Sequence, residues 1–212
     1  MVLNHFREDL DAVLGKMRPE LDDAGHSQML ALREKLLGLY KINQAKINHS
    51  VMELICAKHL ILNGFEVELE HDIGELSCDI YATKGYGTAI VEVETGFVSP
   101  KNALDPLTYL RARVASKITR YSSFANKFIL ATPPYYIMQI PPALTKPPRF
   151  RTNEEIHAIK KLCDLYYTDP PVTLDEIKNA RLHSIYALDV DNASVREWEV
   201  NEYLGKAALW AF

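Results

Sequence analysis

Apolar positions recur along this chain with two different periods. Leu10, Val13 and Leu14, then Leu30, Leu37 and Tyr40, fall at helical spacing and predict helices over residues 3–17 and 24–45. Pro19 and the run Asp22-Asp23-Ala24-Gly25 separate them. Residues 50–63 are apolar nearly all round, as in a buried helix, and stop at Asn63-Gly64. From Phe65 to Glu70 the period changes to two, with Phe65, Val67 and Leu69 alternating with Glu66, Glu68 and Glu70, which predicts a half-exposed strand. Ser77 to Gly96 reads as two apolar strands around a turn at Lys84-Gly85-Tyr86-Gly87. A long helix is expected over 104–126, then a strand over Lys127–Thr132 ended by Pro133-Pro134.

The order helix, three strands, helix, strand predicts an α/β fold, a mixed central β-sheet flanked by helices. Residues 133–150 hold six prolines and are expected to run irregularly over the surface. Beyond them, helices over Glu154–Tyr166 and Leu174–Arg181 precede a hairpin of Ser184–Asp189 and Ser194–Val200. The chain thus divides into a helical N-terminal extension (1–47), a core (48–150) and an α+β C-terminal extension (151–212).

Hydrophobic residues make up 48% of the 212, enough for a substantial core, and no run is long and apolar enough to span a bilayer. The N-terminus lacks the basic-then-apolar order of a signal peptide. Three scattered cysteines, Cys56, Cys78 and Cys163, argue against a disulfide framework and for an intracellular, cytoplasmic setting. No Cys or His spacing resembles a zinc site.

The net charge of −4 conceals a strong asymmetry. Residues 53–99 carry 2 bases and 9 acids, while residues 101–151 carry 9 bases and 1 acid. An acidic block suits cations and a basic block suits phosphates. With almost no acids inside the second block to pair its bases, contact with DNA backbone is expected; the alternative is a solvated helix face.

Three acids stand within the apolar strands: Asp79, Glu92 and Glu94. Strand alternation puts Ile90, Glu92 and Glu94 on one face and Ala89, Val91 and Val93 on the other. Buried carboxylates need a partner, and several converging ones suit a hard cation such as magnesium. Glu53 has two readings. It closes a capping box with Ser50, or it is a fourth carboxylate aimed at the site.

These features together resemble the PD-(D/E)xK nuclease superfamily: Glu53 in a helix, Gly64-Phe65-Glu66-Val67, Cys78-Asp79-Ile80, Val91-Glu92-Val93-Glu94-Thr95-Gly96, and Lys117 to Tyr121. Within it the order is most similar to archaeal Holliday junction resolvases, and length and pattern are also similar to nuclease-like proteins of archaeal spindle-shaped viruses (fuselloviruses). The resemblance covers about residues 48–132. It implies a restriction-endonuclease-like core, and magnesium, with manganese in substitution, held by Asp79, Glu92 and the Val93 carbonyl. It implies a catalytic role for Glu53, raising that reading above the capping box, and endonuclease action on branched DNA in replication, recombination or repair. If the chain is viral, its compartment would be the host cell cytoplasm.

Lys117 and Tyr121 resemble a Q-x-x-x-Y motif, with lysine in the glutamine place; Arg113, Arg120 and Tyr121 are the expected DNA contacts. Cys78 stands where the motif has proline. Glu94 stands where it has its lysine, which leaves three alternatives: Lys117 supplies the amine, the enzyme works without it, or the site is degenerate. Glu94 can otherwise be half of a salt bridge. The runner-up is therefore a nuclease-fold DNA-binding protein without catalysis, and a third reading is a structural helper in recombination complexes. No nucleotide cofactor or membrane partner is expected. A two-fold homodimer is expected, since a four-way junction offers two equivalent strands, with the apolar end Ala207–Phe212 as a candidate surface; the alternative is that Trp210 and Phe212 close the subunit's own core.

Overall fold

The alternation after Gly64 becomes strand β1, Glu66–Ile73, which turns into β2, Leu76–Lys84, and β3, Gly87–Val93. The structure, a computed structural model, describes residues 2–209. Before β1 come helices α1 (Val2–Met17), α2 (Asp23–Lys41) and α3 (Ile47–Leu62). After β3 follow α4 (Pro106–Tyr121), β4 (Lys127–Thr132), the short α5 (Pro142–Thr145), α6 (Asn153–Asp164), α7 (Leu174–Asn179), β5 (Ser184–Asp189), β6 (Ser194–Glu199) and α8 (Val200–Ala208).

All six strands join one sheet in the order β1-β2-β3-β4-β5-β6. β1, β2 and β3 form an antiparallel meander, β4 lies parallel to β3 and β5 parallel to β4, and β6 returns antiparallel. Each face of the sheet closes a core. On one side Ala89, Val91 and Val93 meet Leu54, Ile55 and Met52 of α3 and apolar residues of α1 and α2. On the other, Ile90, Phe128 and Leu130 meet Val114, Ala115 and Ile118 of α4, with Ile156 and Ile159 of α6. The architecture is α/β, a mixed sheet flanked by helices.

Caps set the helix starts. Asp22 Oδ1 accepts from the Gly25 N–H at 2.7 Å, and Thr152 with Glu155 and Thr173 with Glu176 close capping boxes on α6 and α7. The capping box weighed for Ser50 and Glu53 is not there. α3 begins at Ile47 with Lys46 as its N-cap, so Ser50 lies inside the helix, its backbone N–H bonded to the Lys46 carbonyl. α2 ends at Lys41 and not 45, with Asn43 in the left-handed region at φ 59°. α4 ends five residues short of 126.

Residues 133–150 also differ from expectation. They do not simply cross the surface, because Met138, Ile140 and Leu144 between the prolines are buried in the second core. Proline is tolerated in a first helical turn, which lets Pro142 open α5. The buried Arg151 holds this segment to α7, donating to the carbonyls of Ala143 (2.8 Å), Lys146 (3.0 Å) and Ile177 (2.7 Å). Helix α8 was not expected from sequence. Trp210 and Phe212, on which the dimer surface depended, lie outside the described residues. None of the described helices is long and apolar enough to cross a membrane.

Candidate functional site

The register of β2 on β3 places Asp79 opposite Glu92, one step beyond the last ladder pair, Ile80 with Val91. There side chains take over from the ladder. The Asp79 N–H donates to Glu92 Oε1 at 3.0 Å, and the Val93 N–H donates to Asp79 Oδ2 at 2.7 Å. The two acids are thereby fixed to each other's strands, where β2 and β3 part.

Lys117 enters from α4 on the face shared by Glu92 and Glu94. Its Nζ lies 3.0 Å from Glu92 Oε2, 3.3 Å from Asp79 Oδ2 and 3.4 Å from Glu94 Oε1, and donates to the Val93 carbonyl at 2.9 Å. Four of the predicted site groups, Asp79, Glu92, Glu94 and the Val93 carbonyl, thus converge on the fifth, Lys117. Arg113, one turn earlier, donates from Nε and Nη2 to Glu94 Oε2 at 3.0 and 2.7 Å, and from Nη1 to the Phe97 carbonyl. Glu94 therefore has the salt-bridge partner that its position in place of a lysine left open.

A second group gathers on the other side of Asp79. His49 and Glu53 are one turn apart on α3, and Glu70 comes from β1. His49 Nε2 lies 3.3 Å from Asp79 Oδ1 and 3.8 Å from Glu53 Oε1. One ligand atom from each of His49, Glu53, Glu70 and Asp79 falls within 4.8 Å of the others. Glu53 is buried, and its Oε1 has no hydrogen-bond partner among the described residues.

Glu70 is where β1 leaves regularity. The ladder with β2 runs from Glu66–Thr83 to Leu69–Ile80 and resumes at His71–Cys78, passing over Glu70 opposite Asp79. Glu70 has φ 44°, a left-handed conformation that costs a non-glycine residue about 1–3 kcal/mol. Beyond it the strands exchange faces: Leu69 and Ile80 pack toward α3, whereas Cys78 joins the α4 side and His71 stacks on Tyr81.

Crowded acids share too few cations. Burial, then the Asp79 charge, raise Glu92 to about 8 despite Lys117. Burial opposes ionisation of Asp79, but Lys117, His49 and the Val93 N–H outweigh it and hold this carboxyl below its usual range. Burial followed by Asp79 raises Glu53 and Glu70. Burial alone would lower Lys117, yet Asp79, Glu92 and Glu94 together lift it well above an ordinary lysine.

The expected DNA contacts are engaged within the chain. Arg113 binds Glu94, Arg120 donates to the Pro170 carbonyl, and the Tyr121 hydroxyl donates to the Ser77 carbonyl at 2.8 Å. The basic block as a whole is less free than its composition implied. Its partners come from elsewhere in the chain: Glu94 for Arg113, the acids of β2 and β3 for Lys117, Glu155 for Lys146, and backbone carbonyls for Arg151. Lys101, Arg111, Lys127 and Arg149 stay exposed. A cleft of about 540 Å³, lined by Lys46, His49, Glu94, Phe97, Arg113 and Lys117, opens beside the site.

Sequence reasoning missed His49 and Glu70. The signal for His49 was its place four residues before Glu53; Glu70 carried none, reading as the solvent side of an alternating strand. Comparison with protein-family models, curated proteins and solved structures finds no match to the chain.

Proposed function

We propose that this chain is a divalent-metal-dependent endonuclease with a restriction-endonuclease-like core, hydrolysing phosphodiester bonds in branched DNA. The observation that carries the reading is the convergence of Asp79, Glu92, the Val93 carbonyl and Lys117 on one point at the edge of a cleft. The order α3-β1-β2-β3-α4-β4, an antiparallel meander followed by a parallel strand, supports it, matching the succession of elements in that nuclease core.

The donor set of two carboxylates and the Val93 carbonyl is all oxygen, which fits magnesium or manganese. Asp79, Glu92 and the Val93 carbonyl would hold the ion. Bound there, it would supply Lewis acidity to the phosphate and acidify a water molecule. Asp79, kept ionised, is an acceptor able to orient that water. Glu92, raised to about 8 by burial and Asp79, would give up its proton on binding the ion. Lys117 brings positive charge to the point where charge builds on the phosphate. Its amine comes from α4 and not from β3, which accounts for Glu94 in the motif's lysine place.

A second reading, a DNA-binding protein without catalysis, is favoured by one observation: the Lys117 ammonium fills the same cradle as the expected ion. Labelled linear, branched and four-way-junction DNA, incubated with and without magnesium or manganese, decides between them. Metal-dependent cleavage of branched DNA that disappears in Asp79→Asn supports the endonuclease. Binding without cleavage under every metal condition supports the second reading. The homodimer belongs to the same proposal, with two sites facing the two equivalent strands of a junction.

A further inference from the structure

We propose that His49, Glu53, Glu70 and Asp79 form a metal site of their own on the α3 side of Asp79, taking a borderline divalent ion such as Mn²⁺ in preference to Mg²⁺.

The geometry is compact. One atom from each residue lies within 4.8 Å of the rest, with His49 Nε2 3.3 Å from Asp79 Oδ1. Such a spread closes around a single ion with small side-chain rotations. Independently, Glu53 Oε1 is buried and has no hydrogen-bond donor among the described residues, though it belongs to this cluster. A buried carboxylate oxygen left so is costly, and a cation between Glu53 and Glu70 would relieve both. Asp79 can serve here without abandoning Lys117, because Oδ1 faces His49 while Oδ2 faces Lys117 and the Val93 N–H.

An entry path exists. A cavity of about 210 Å³ reaches Glu53 and Glu70 from the side of Asn43, Lys46 and His49. Glu70 reaches the cluster only because β1 adopts a left-handed residue and breaks its ladder there. An imidazole among three carboxylates sets the preference. Mg²⁺ favours all-oxygen coordination with several retained waters, whereas imidazole nitrogen is a good ligand for first-row transition ions. With the Lys117 ammonium holding the cradle of Asp79, Glu92 and the Val93 carbonyl, the first ion bound goes to the His49 side.

Any part this ion takes in the proposed hydrolysis, beside the ion that Asp79, Glu92 and the Val93 carbonyl would hold, rests on that reading; as a binding site it stands apart from it. The test uses the full chain freed of metal, titrated with Mn²⁺ alone and followed by electron paramagnetic resonance. Electron spin-echo modulation then reports nitrogen bound to the manganese. One tight Mn²⁺ with nitrogen modulation is expected, displaced only by a large excess of Mg²⁺. His49→Gln should remove the modulation, and His49→Gln and Glu70→Gln should each weaken binding by about tenfold or more. Glu66→Gln, an exposed strand position outside the cluster, should leave manganese binding unchanged. Circular dichroism of each variant separates lost ligands from lost fold. Bound manganese without nitrogen modulation overturns the site, as does binding lost in Glu92→Gln but kept in His49→Gln. A chain that binds Mn²⁺ as expected yet cuts no DNA keeps the site and removes the nuclease reading.

Discussion

Lys117 donates to the Val93 carbonyl at 2.9 Å while its Nζ stands 3.0 Å from Glu92. The ammonium therefore sits among the ligands expected of a divalent ion and discharges part of an ion's electrostatic task. In the metal-free chain it is the charge that keeps Asp79, Glu92 and Glu94 together.

Removing it should be costly. Truncating one member of a buried ion pair costs about 3–5 kcal/mol, because the partner is left charged and unpaired. Lys117→Met should lose stability of about that size in chelator at pH 8, measured by urea unfolding. Millimolar Mg²⁺ or Mn²⁺ should restore part of it. Unchanged stability in chelator would show that Lys117 does not hold the acids.

Glu94 and Arg113 should behave as one unit. Glu94→Lys, the residue of the nuclease motif, places a cation against Arg113 and Lys117 and should destabilise the fold by about 3 kcal/mol or more. The double variant Glu94→Lys/Arg113→Glu should recover at least half of that loss in a double-mutant cycle. Additive losses would mean that the pair is not coupled.

The acids predict a stability that falls as pH rises. Glu92 ionises at about 4.5 ordinarily and at about 8 in the fold, so between those values the folded chain holds a proton that the unfolded chain has lost. Fewer protons on the unfolded state give a negative slope of stability against pH, levelling above about 8. Glu53 and Glu70, also raised, act in the same sense. Denaturant unfolding in chelator at pH 5, 6.5 and 8 should show the decline, and Glu92→Gln should flatten it in part. A wild-type protein that gains stability over this range would refute the assignment.

DNA binding, if present, should depend on salt less steeply than the nine bases of residues 101–151 suggest. Arg113, Lys117, Arg120, Lys146 and Arg151 are committed within the chain, and four exposed bases remain: Lys101, Arg111, Lys127 and Arg149. At about −0.9 per phosphate contact, the slope of log K against log salt should lie near −4 per chain. A slope near −8 would mean that the internal pairs open on binding.

Much of the sheet was legible because its signals are local. β4 and β5 have the boundaries that alternation and flanking turn residues indicate, and the faces of β3 follow from strand period alone. The start of α3 was hidden because Lys46 offers no side-chain cap, and with it went the pairing of His49 with Glu53 one turn apart. Glu70 could not be read, since neither its left-handed backbone nor the exchange of strand faces beyond it has a mark in composition. The acids that pair with the basic block lie outside it, and Arg151 binds backbone carbonyls, so local charge counting overstated how many bases are free. Residues 133–150 misled because their prolines outweighed the apolar residues that bury them.

The order of the strands has a consequence for how the chain acquires its shape. Sheet order follows chain order, so each strand after the meander adds to a single growing edge and none must insert between two already paired. A nascent chain can complete β1 to β3 before β4 emerges, and by the end of β4 it holds every residue of the candidate site. What it then lacks is a partner for the open edge of β4, whose Phe128, Ile129, Leu130 and Ala131 are all buried once β5 arrives. An uncovered apolar edge recruits other chains. The finished sheet ends instead on strands rich in charge, β1 with Glu66 and Glu68 and β6 with Arg196, Glu197 and Glu199. Among the described residues, those after β4 take no place in the candidate site, and their service is to bring sheet growth to a halt on a strand that water tolerates.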